Sequence, residues 1–226
     1  MRVLAIDTAL EACSAAIFDA GQGAIVASHT QVMTRGHAEA LMPLIAVVMN
    51  QSGIDFPALD RIVVTVGPGS FTGLRVGIAA ARGIALAAKK PVVGVTTLAA
   101  LAAPYIAADP ATPIAAAIDG RHRHIYFQLS GAGGRTLVSP RMIPLNDAID
   151  AAAAVSARLV GSGASMMADA WPDSHTPPRI DERRAPDISW VARIGADAVQ
   201  DRSPPKPLYL RTPDARPQIA ARLLRR

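Results

Sequence analysis

A chain of 226 residues, 50% hydrophobic and 18% charged, is long enough for one large or two small domains and too apolar to be disordered. Its formal net charge of +5 permits contact with nucleic acid, but aromatics at 4% leave few surfaces for base stacking, and a single cysteine, Cys13, excludes an internal disulfide and fits a reducing compartment. The chain opens directly on a strand pattern, and no apolar run reads as a signal-peptide core or as a membrane span, so the expectation is a cytoplasmic protein with no membrane contact.

Arg2 to Ile6 reads as a buried strand ending at Asp7. Ser14 to Phe18 and Ala24 to Thr30 follow as two more strands, which makes an antiparallel meander. A helix is expected from Gly36 to Ser52, closed by Gly53. One stripe of it holds Ala38, Leu41, Met42, Ile45, Val48 and Met49, and Ala40, Leu44 and Val47 make the opposite side apolar as well. A helix apolar on two sides needs cover on both, from the sheet and from either a neighbouring helix or a partner. The β-branched run from Arg61 to Val66 is the next strand, and a Gly/Ala-rich helix is expected over residues 72 to 88. Val92 to Val95 is a strand, and Thr97 is expected to cap a helix reaching about Ala107.

Asp109-Pro110-Ala111-Thr112-Pro113 breaks the chain, and then the opening theme recurs. Strands are expected at Ile114 to Ile118, Ile125 to Leu129 and Arg135 to Ser139. A helix near Leu145 to Val155, a strand from Arg158 to Gly161 and a short helix near Ala164 complete a shortened copy. Beyond residue 170 the reading is Pro- and Arg-rich, with one helix near Ser189 to Gln200 and a terminal element at Lys206 to Arg211 whose Tyr209 and leucines clamp the tail onto a lobe. Each half begins with a strand tipped by an aspartate, Asp7 and Asp119. That duplication is the pattern of an α/β, actin-like ATPase (ribonuclease H-like) fold. The expected lobes are 1–108 and 109–212, the second shortened, with 213–226 a mobile tail.

Between the strand at 61–66 and the helix at 72–88 runs Val66-Gly67-Pro68-Gly69-Ser70-Phe71-Thr72-Gly73-Leu74-Arg75-Val76-Gly77. Such a turn either offers N–H groups to an anion or lets two backbones approach closely. It lacks the Gly-Lys-Ser/Thr of a P-loop, and its glycines miss the dinucleotide spacing by one residue. Gly73, Gly77 and Ala81 recur on one helix face, where small residues admit a close neighbour, within the domain or outside it. His122 and His124 supply two ligand-type side chains without an evident third, so a basic turn is the simpler reading.

The Met1 to Thr8 strand, Arg35-Gly36-His37-Ala38-Glu39-Ala40-Leu41-Met42-Pro43, the glycine turn with Phe-Thr-Gly-Leu-Arg, and Pro207-Leu208-Tyr209-Leu210-Arg211 occur in this order and spacing. Together they resemble the TsaB (YeaZ) family, the dimerisation subunit of the bacterial tRNA threonylcarbamoyladenosine (t6A) machinery. The resemblance implies a non-catalytic, actin-like scaffold that pairs with TsaD, the subunit that transfers the threonylcarbamoyl group to N6 of adenosine 37 in tRNAs reading ANN codons. It implies TsaE as a further partner, a homodimer when the chain is alone, and contact with tRNA through the complex. No metal and no cofactor of its own is implied; ATP or ADP would lie at the interface with TsaD and TsaE. The implied contact runs through the first two helices, with Arg35, His37, Ala38, Leu41, Met42, Ile45, Thr72, Gly73, Leu74, Arg75, Gly77, Ile78 and Ala81, and the residues facing a nucleotide in the cleft would be Asp7, Thr8 and Asp119. TsaD-like chains carry His-x-x-x-His on the first helix for a metal; here His37 is followed by Leu41, an apolar residue at the second ligand position. The hairpins also depart from the family, reading Asp7-Thr8-Ala9 for the usual Asp-Thr-Ser and Asp119-Gly120-Arg121 for the usual Asp-Ala-Arg. The rival readings are a metallopeptidase-like enzyme and an ATPase or kinase of the same fold acting alone.

Overall fold

The structure is a computed structural model that describes residues 1–200 and 203–210. The tail expected at 213–226, and Arg211 at the end of the terminal element, lie outside the described residues.

The first sheet is built from β1 (Arg2–Asp7), β2 (Ala12–Asp19), β3 (Ala24–Val32), β4 (Arg61–Gly67) and β5 (Val92–Thr96). Their order is β3-β2-β1-β4-β5; β1, β2 and β3 are antiparallel neighbours, while β4 runs parallel to β1 and β5 parallel to β4. Alternation sends Leu4 and Ile6 of β1 to one face and Val3, Ala5 and Asp7 to the other. The first face is covered by α1 (His37–Ser52) and α2 (Phe71–Ala88), whose Leu41, Ile45, Val48, Ile78 and Ala81 meet Leu4, Ile6, Ile17 and Val64. Gly53, in the left-handed region at φ 64°, ends α1 where a side chain would be strained.

The second sheet repeats the plan. Its strands are β6 (Ile114–Asp119), β7 (His124–Ser130), β8 (Thr136–Pro144), β9 (Arg158–Val160) and β10 (Ile180–Asp181), in the order β10-β9-β6-β7-β8. α4 (Leu145–Ala153) and α5 (Ala164–Asp169) cover one face through Leu145, Ile149, Ala152 and Met167. Two details differ from expectation. β8 runs on past Ser139 to Pro144: it is an edge strand, Pro140 falls at an irregularity in its pairing with β7, and Pro144 ends it. β10, of two residues, is too short to leave a periodicity in sequence.

The remaining helices cross between the sheets. α3 (Thr97–Ala108) leaves the first sheet and lays Leu98, Leu101 and Ala102 on Ile114, Ala116 and Ile118 of the second. α6 (Ile188–Asp197) returns from the second half and lays Ile188, Val191, Ala192 and Ala196 on Val3, Ala5, Val63 and Val95 of the first. The segment expected to belong wholly to the second lobe therefore completes the first. Arg61 fixes the crossing: its Nη1 donates to the carbonyls of Gly195, Ala196 and Ala198 at 2.8, 3.0 and 2.7 Å, at the end of α6 where carbonyls lack helical partners. Beyond it, Pro205 lies over Gly94 of β5, where a Cβ would meet it. Leu208 then donates its N–H to the Val66 carbonyl at 2.7 Å, the clamp expected of this segment.

Contrary to the expectation that no run reads as a membrane span, α2 is long and apolar enough by composition to cross a membrane. Its Leu74, Ile78, Ala81 and Ala85 are buried on the sheet, while Ala79, Leu86 and Ala87 are exposed on the opposite side.

Candidate functional site

The glycine turn serves close approach. Gly67 takes φ 109°, and the Gly67–Pro68 peptide is cis. A Cβ at Gly69 would overlap the Ala9 carbonyl oxygen, and one at Gly73 the Thr8 carbonyl oxygen. Two of its N–H groups are occupied as well. Ser70 donates to the Ala9 carbonyl at 2.7 Å, and Gly73 donates to Ser70 Oγ at 3.3 Å, which makes Ser70 the N-cap of α2. The turn is thus a joint between β1 and α2, with the Ser70 and Gly73 N–H groups directed inward.

The residues expected to face a nucleotide separate. Asp7 and Thr8 are 0% and 1% exposed. Thr8 donates to the Gly73 carbonyl at 2.7 Å, and a Cβ at Gly77 would overlap its hydroxyl. Asp7 Oδ1 accepts from Thr65 Oγ1 at 2.6 Å and from the Ala9 N–H at 3.1 Å, while Oδ2 has no partner among the described residues. Burial pushes its carboxyl from the ordinary 3.8 up to about 6, against the pull of Thr65, the Ala9 N–H and His37. Asp119 alone of the three is exposed, at the end of β6, and its Oδ1 accepts the Arg121 N–H at 2.7 Å. The cap of α3 is Thr96 rather than the expected Thr97. Thr96 Oγ1 accepts from the Ala99 N–H at 3.2 Å, and the Thr97 hydroxyl is buried with no partner among the described residues. Cys13 is buried, and burial with Asp7 nearby pushes its thiol up to about 11, which keeps it protonated and unreactive.

A cleft of about 710 Å³ lies between the lobes, lined from the first by Glu11, Thr34, Ser70 and Phe71 and from the second by Asp119, Arg121, Tyr126, Ser162 and Glu182. Arg184 bridges it. Its carbonyl accepts the Glu11 N–H at 3.1 Å, and its guanidinium reaches Glu11 at 3.3 Å and Glu182 at 3.6 Å.

His37 sits at the start of α1, nearly buried, with Nε2 donating to the Leu10 carbonyl at 3.1 Å. Leu41, one turn on, is 1% exposed and packs in the core. Among the described residues no three His, Cys, Asp or Glu side chains converge as metal ligands would.

The helix pair divides the expected contact residues. His37, Leu41, Ile45, Gly73, Leu74, Gly77, Ile78 and Ala81 are buried inside the lobe, so they are not available to a partner. The small-residue face of α2 serves packing against Thr8 and Val64 of its own domain. Arg35, Ala38, Met42, Thr72 and Arg75 are exposed. Val47, read from the sequence as part of a second apolar side, shares that outer surface, and Pro43, Ala46, Phe71, Ala79 and Leu86, not expected at the contact, join it; Leu86 is 82% exposed, Phe71 56% and Met42 50%. Periodicity marked two apolar sides on α1, but the structure divides them differently: Leu44 of the second side joins Leu41, Ile45, Val48 and Met49 in the core, and Ala38 and Met42 of the first side are exposed with Val47. At the start of α2, Phe71 stacks on Tyr209 with centroids 5.6 Å apart, and Arg75 lies 3.7 Å over the Phe71 ring and donates to the Tyr209 hydroxyl at 3.1 Å.

Two sheets of one strand order, each with its crossing helix, and an aspartate at the tip of each first strand define a two-lobe protein of the actin-like ATPase fold. A family model described as TsaD, tRNA N6-adenosine threonylcarbamoyltransferase, matches residues 18–178. The chain belongs to that family, in its TsaB (YeaZ) branch. YeaZ from Pseudomonas aeruginosa superposes with a TM-score of 0.77 at 29% identity, over 92% of this chain and 99% of that one. The protein named tRNA threonylcarbamoyladenosine biosynthesis protein TsaB from Escherichia coli (strain K12) is 39% identical over 127 residues, 56% of this chain and 54% of that one. The match thus spans about half the length of that relative. An uncharacterized protein of Mycobacterium tuberculosis (strain ATCC 25618 / H37Rv) is 32% identical over 95% of this chain and 94% of its own.

Proposed function

We propose that this chain is a non-catalytic subunit in t6A synthesis, pairing with a TsaD-type subunit that transfers the threonylcarbamoyl group to N6 of adenosine 37 of tRNAs reading ANN codons. The observation that carries the reading is the outer face of α1 and α2. Its Met42, Ala46, Val47, Ala79 and Leu86 are exposed although the helices' other face already fills the core. Apolar side chains left exposed on two neighbouring helices, with Arg75 and Arg82 among them, are the material of a subunit interface. The names of the similar TsaB proteins support the pathway. A scaffold role is supported by the chemistry left at the usual sites. Asp7 and Thr8 are sealed inside, His37 is held by a backbone carbonyl, and Leu41 stands where a second ligand would be needed. The chain works in the cytoplasm, pairs with itself when TsaD is absent, admits TsaE to the assembly with ATP or ADP at the joint interface, and meets tRNA within the complex.

The test is co-expression with the TsaD of the same organism, followed by gel filtration and a threonylcarbamoylation assay on unmodified tRNA. Modified tRNA is expected only when both subunits are present. A Met42→Asp, Leu86→Asp variant should keep its melting temperature and lose the complex. Co-elution of that variant at wild-type strength overturns the interface; ATP turnover or metal-dependent peptide hydrolysis by the chain alone overturns the scaffold role.

A further inference from the structure

The hairpin turn between β6 and β7 carries Arg121, His122, Arg123 and His124 in succession, and the first three lie in the left-handed region at φ 63°, 52° and 57°. No glycine relieves that backbone, so the surrounding bonds must hold it. Three backbone donors do so: Gly120 N–H donates to the His124 carbonyl at 2.9 Å, His124 N–H to the Arg121 carbonyl at 3.0 Å, and Arg121 N–H to Asp119 Oδ1 at 2.7 Å. His124 Nδ1 donates to the His122 carbonyl at 2.9 Å, which ties the ring to the turn. The result is a fixed knuckle at the rim of the cleft, with Arg121, His122 and Arg123 exposed. Among the described residues neither arginine has an ion-pair partner; the carboxylates of Glu11 and Glu182 in the same cleft are taken by Arg184.

The knuckle has cations and no apolar side chain. The centre of a protein interface is poor in charge and needs apolar anchors, which in this molecule lie on α1 and α2. Phosphate contacts need only cations, held in place. We propose that the turn at residues 121–124 docks the phosphate backbone of an RNA. This rests on the function proposed above, in which that RNA is the tRNA on which the assembly acts.

The experiment titrates unmodified tRNA transcript into the complex with the TsaD-type subunit over a series of salt concentrations. An Arg121→Glu, Arg123→Glu variant should bind about tenfold more weakly or worse, with a log–log salt slope shallower by about 1 to 2. Arg121→Lys, Arg123→Lys should bind nearly as the wild type does, and all three should co-elute with the partner. Equal affinity and slope in the Glu variant overturns the proposal. So does loss of co-elution in that variant, because the turn then meets protein. If the wild-type pair does not form or does not modify tRNA, the proposed function fails instead, and the same titration on the chain alone decides the turn.

Discussion

At position 7 a carboxyl closes β1 without reaching water. Its folded pKa of about 6 lies above the ordinary 3.8, so between these values the folded state holds a proton that the unfolded state has released. Raising pH through that window therefore costs stability, and the cost is complete above about pH 7. A rise of that size corresponds to about 3 kcal/mol, an upper figure. Asp7→Asn keeps the acceptor for Thr65 and the Ala9 N–H and removes the ionisation. Urea unfolding from about pH 4 to about pH 8 should show wild-type stability declining with pH, and a flatter profile for the variant that leaves it the more stable at the upper end. Parallel profiles would mean that Asp7 does not titrate in this range. The tip aspartate was legible as a strand end. Its burial was not, because that depends on segments that reach it from distant parts of the chain, such as β4 with Thr65.

Among the elements, periodicity identified α1 with two apolar sides and α2 with a face of small residues, but a hydrophobic stripe does not say what it faces. The sheet takes Leu41, Ile45, Gly77 and Ala81; Met42, Ala46, Ala79 and Leu86 face outward. Substitutions should divide along the same line. Gly73→Ala or Gly77→Ala drives a methyl into the Thr8 carbonyl or hydroxyl and should cost about 2–4 kcal/mol in urea unfolding. Ala79→Ser on the outer face should stay within about 0.5 kcal/mol. A neutral Gly77→Ala would mean that α2 can move off the sheet. Arg61 joins two elements in the same manner. Arg61→Ala leaves three carbonyls at the end of α6 without their donor, and a loss of about 2–3 kcal/mol is expected from that charge-assisted set; an unchanged denaturation midpoint would show that α6 is held by its apolar face alone.

The whole molecule is laced by its two crossing helices. α3 covers the second sheet and α6 the first, so neither half keeps its own core when the chain is cut between them. A fragment ending at residue 108 lacks Ile188, Val191, Ala192 and Ala196 and exposes Val3, Ala5, Val63 and Val95 to water. It should give no sharp thermal transition and should bind a hydrophobic dye, whereas the full chain should melt in one step. A cooperative melt of the fragment would show that the first lobe is complete without α6. The same lacing, with Arg184 across the cleft, favours a fixed angle between the lobes, which suits a subunit that presents a surface.

The duplicated strand–helix plan, the aspartate-tipped hairpins, the basic turn, the two-sided apolar α1 and the small-residue face of α2 were all present in the sequence, because each is a local pattern with its own period or turn chemistry. It also carried the resemblance to the TsaB (YeaZ) family, on motifs that are short and ordered along the chain. Packing of the folded chain settled which face of α1 and α2 is free, that Asp7 and Thr8 are sealed in, that the glycine turn is a joint, and that α6 belongs to the first core. Those outcomes depend on contacts between residues far apart in sequence, such as Arg61 with Gly195, and no local period encodes which distant surface arrives to bury a given side chain.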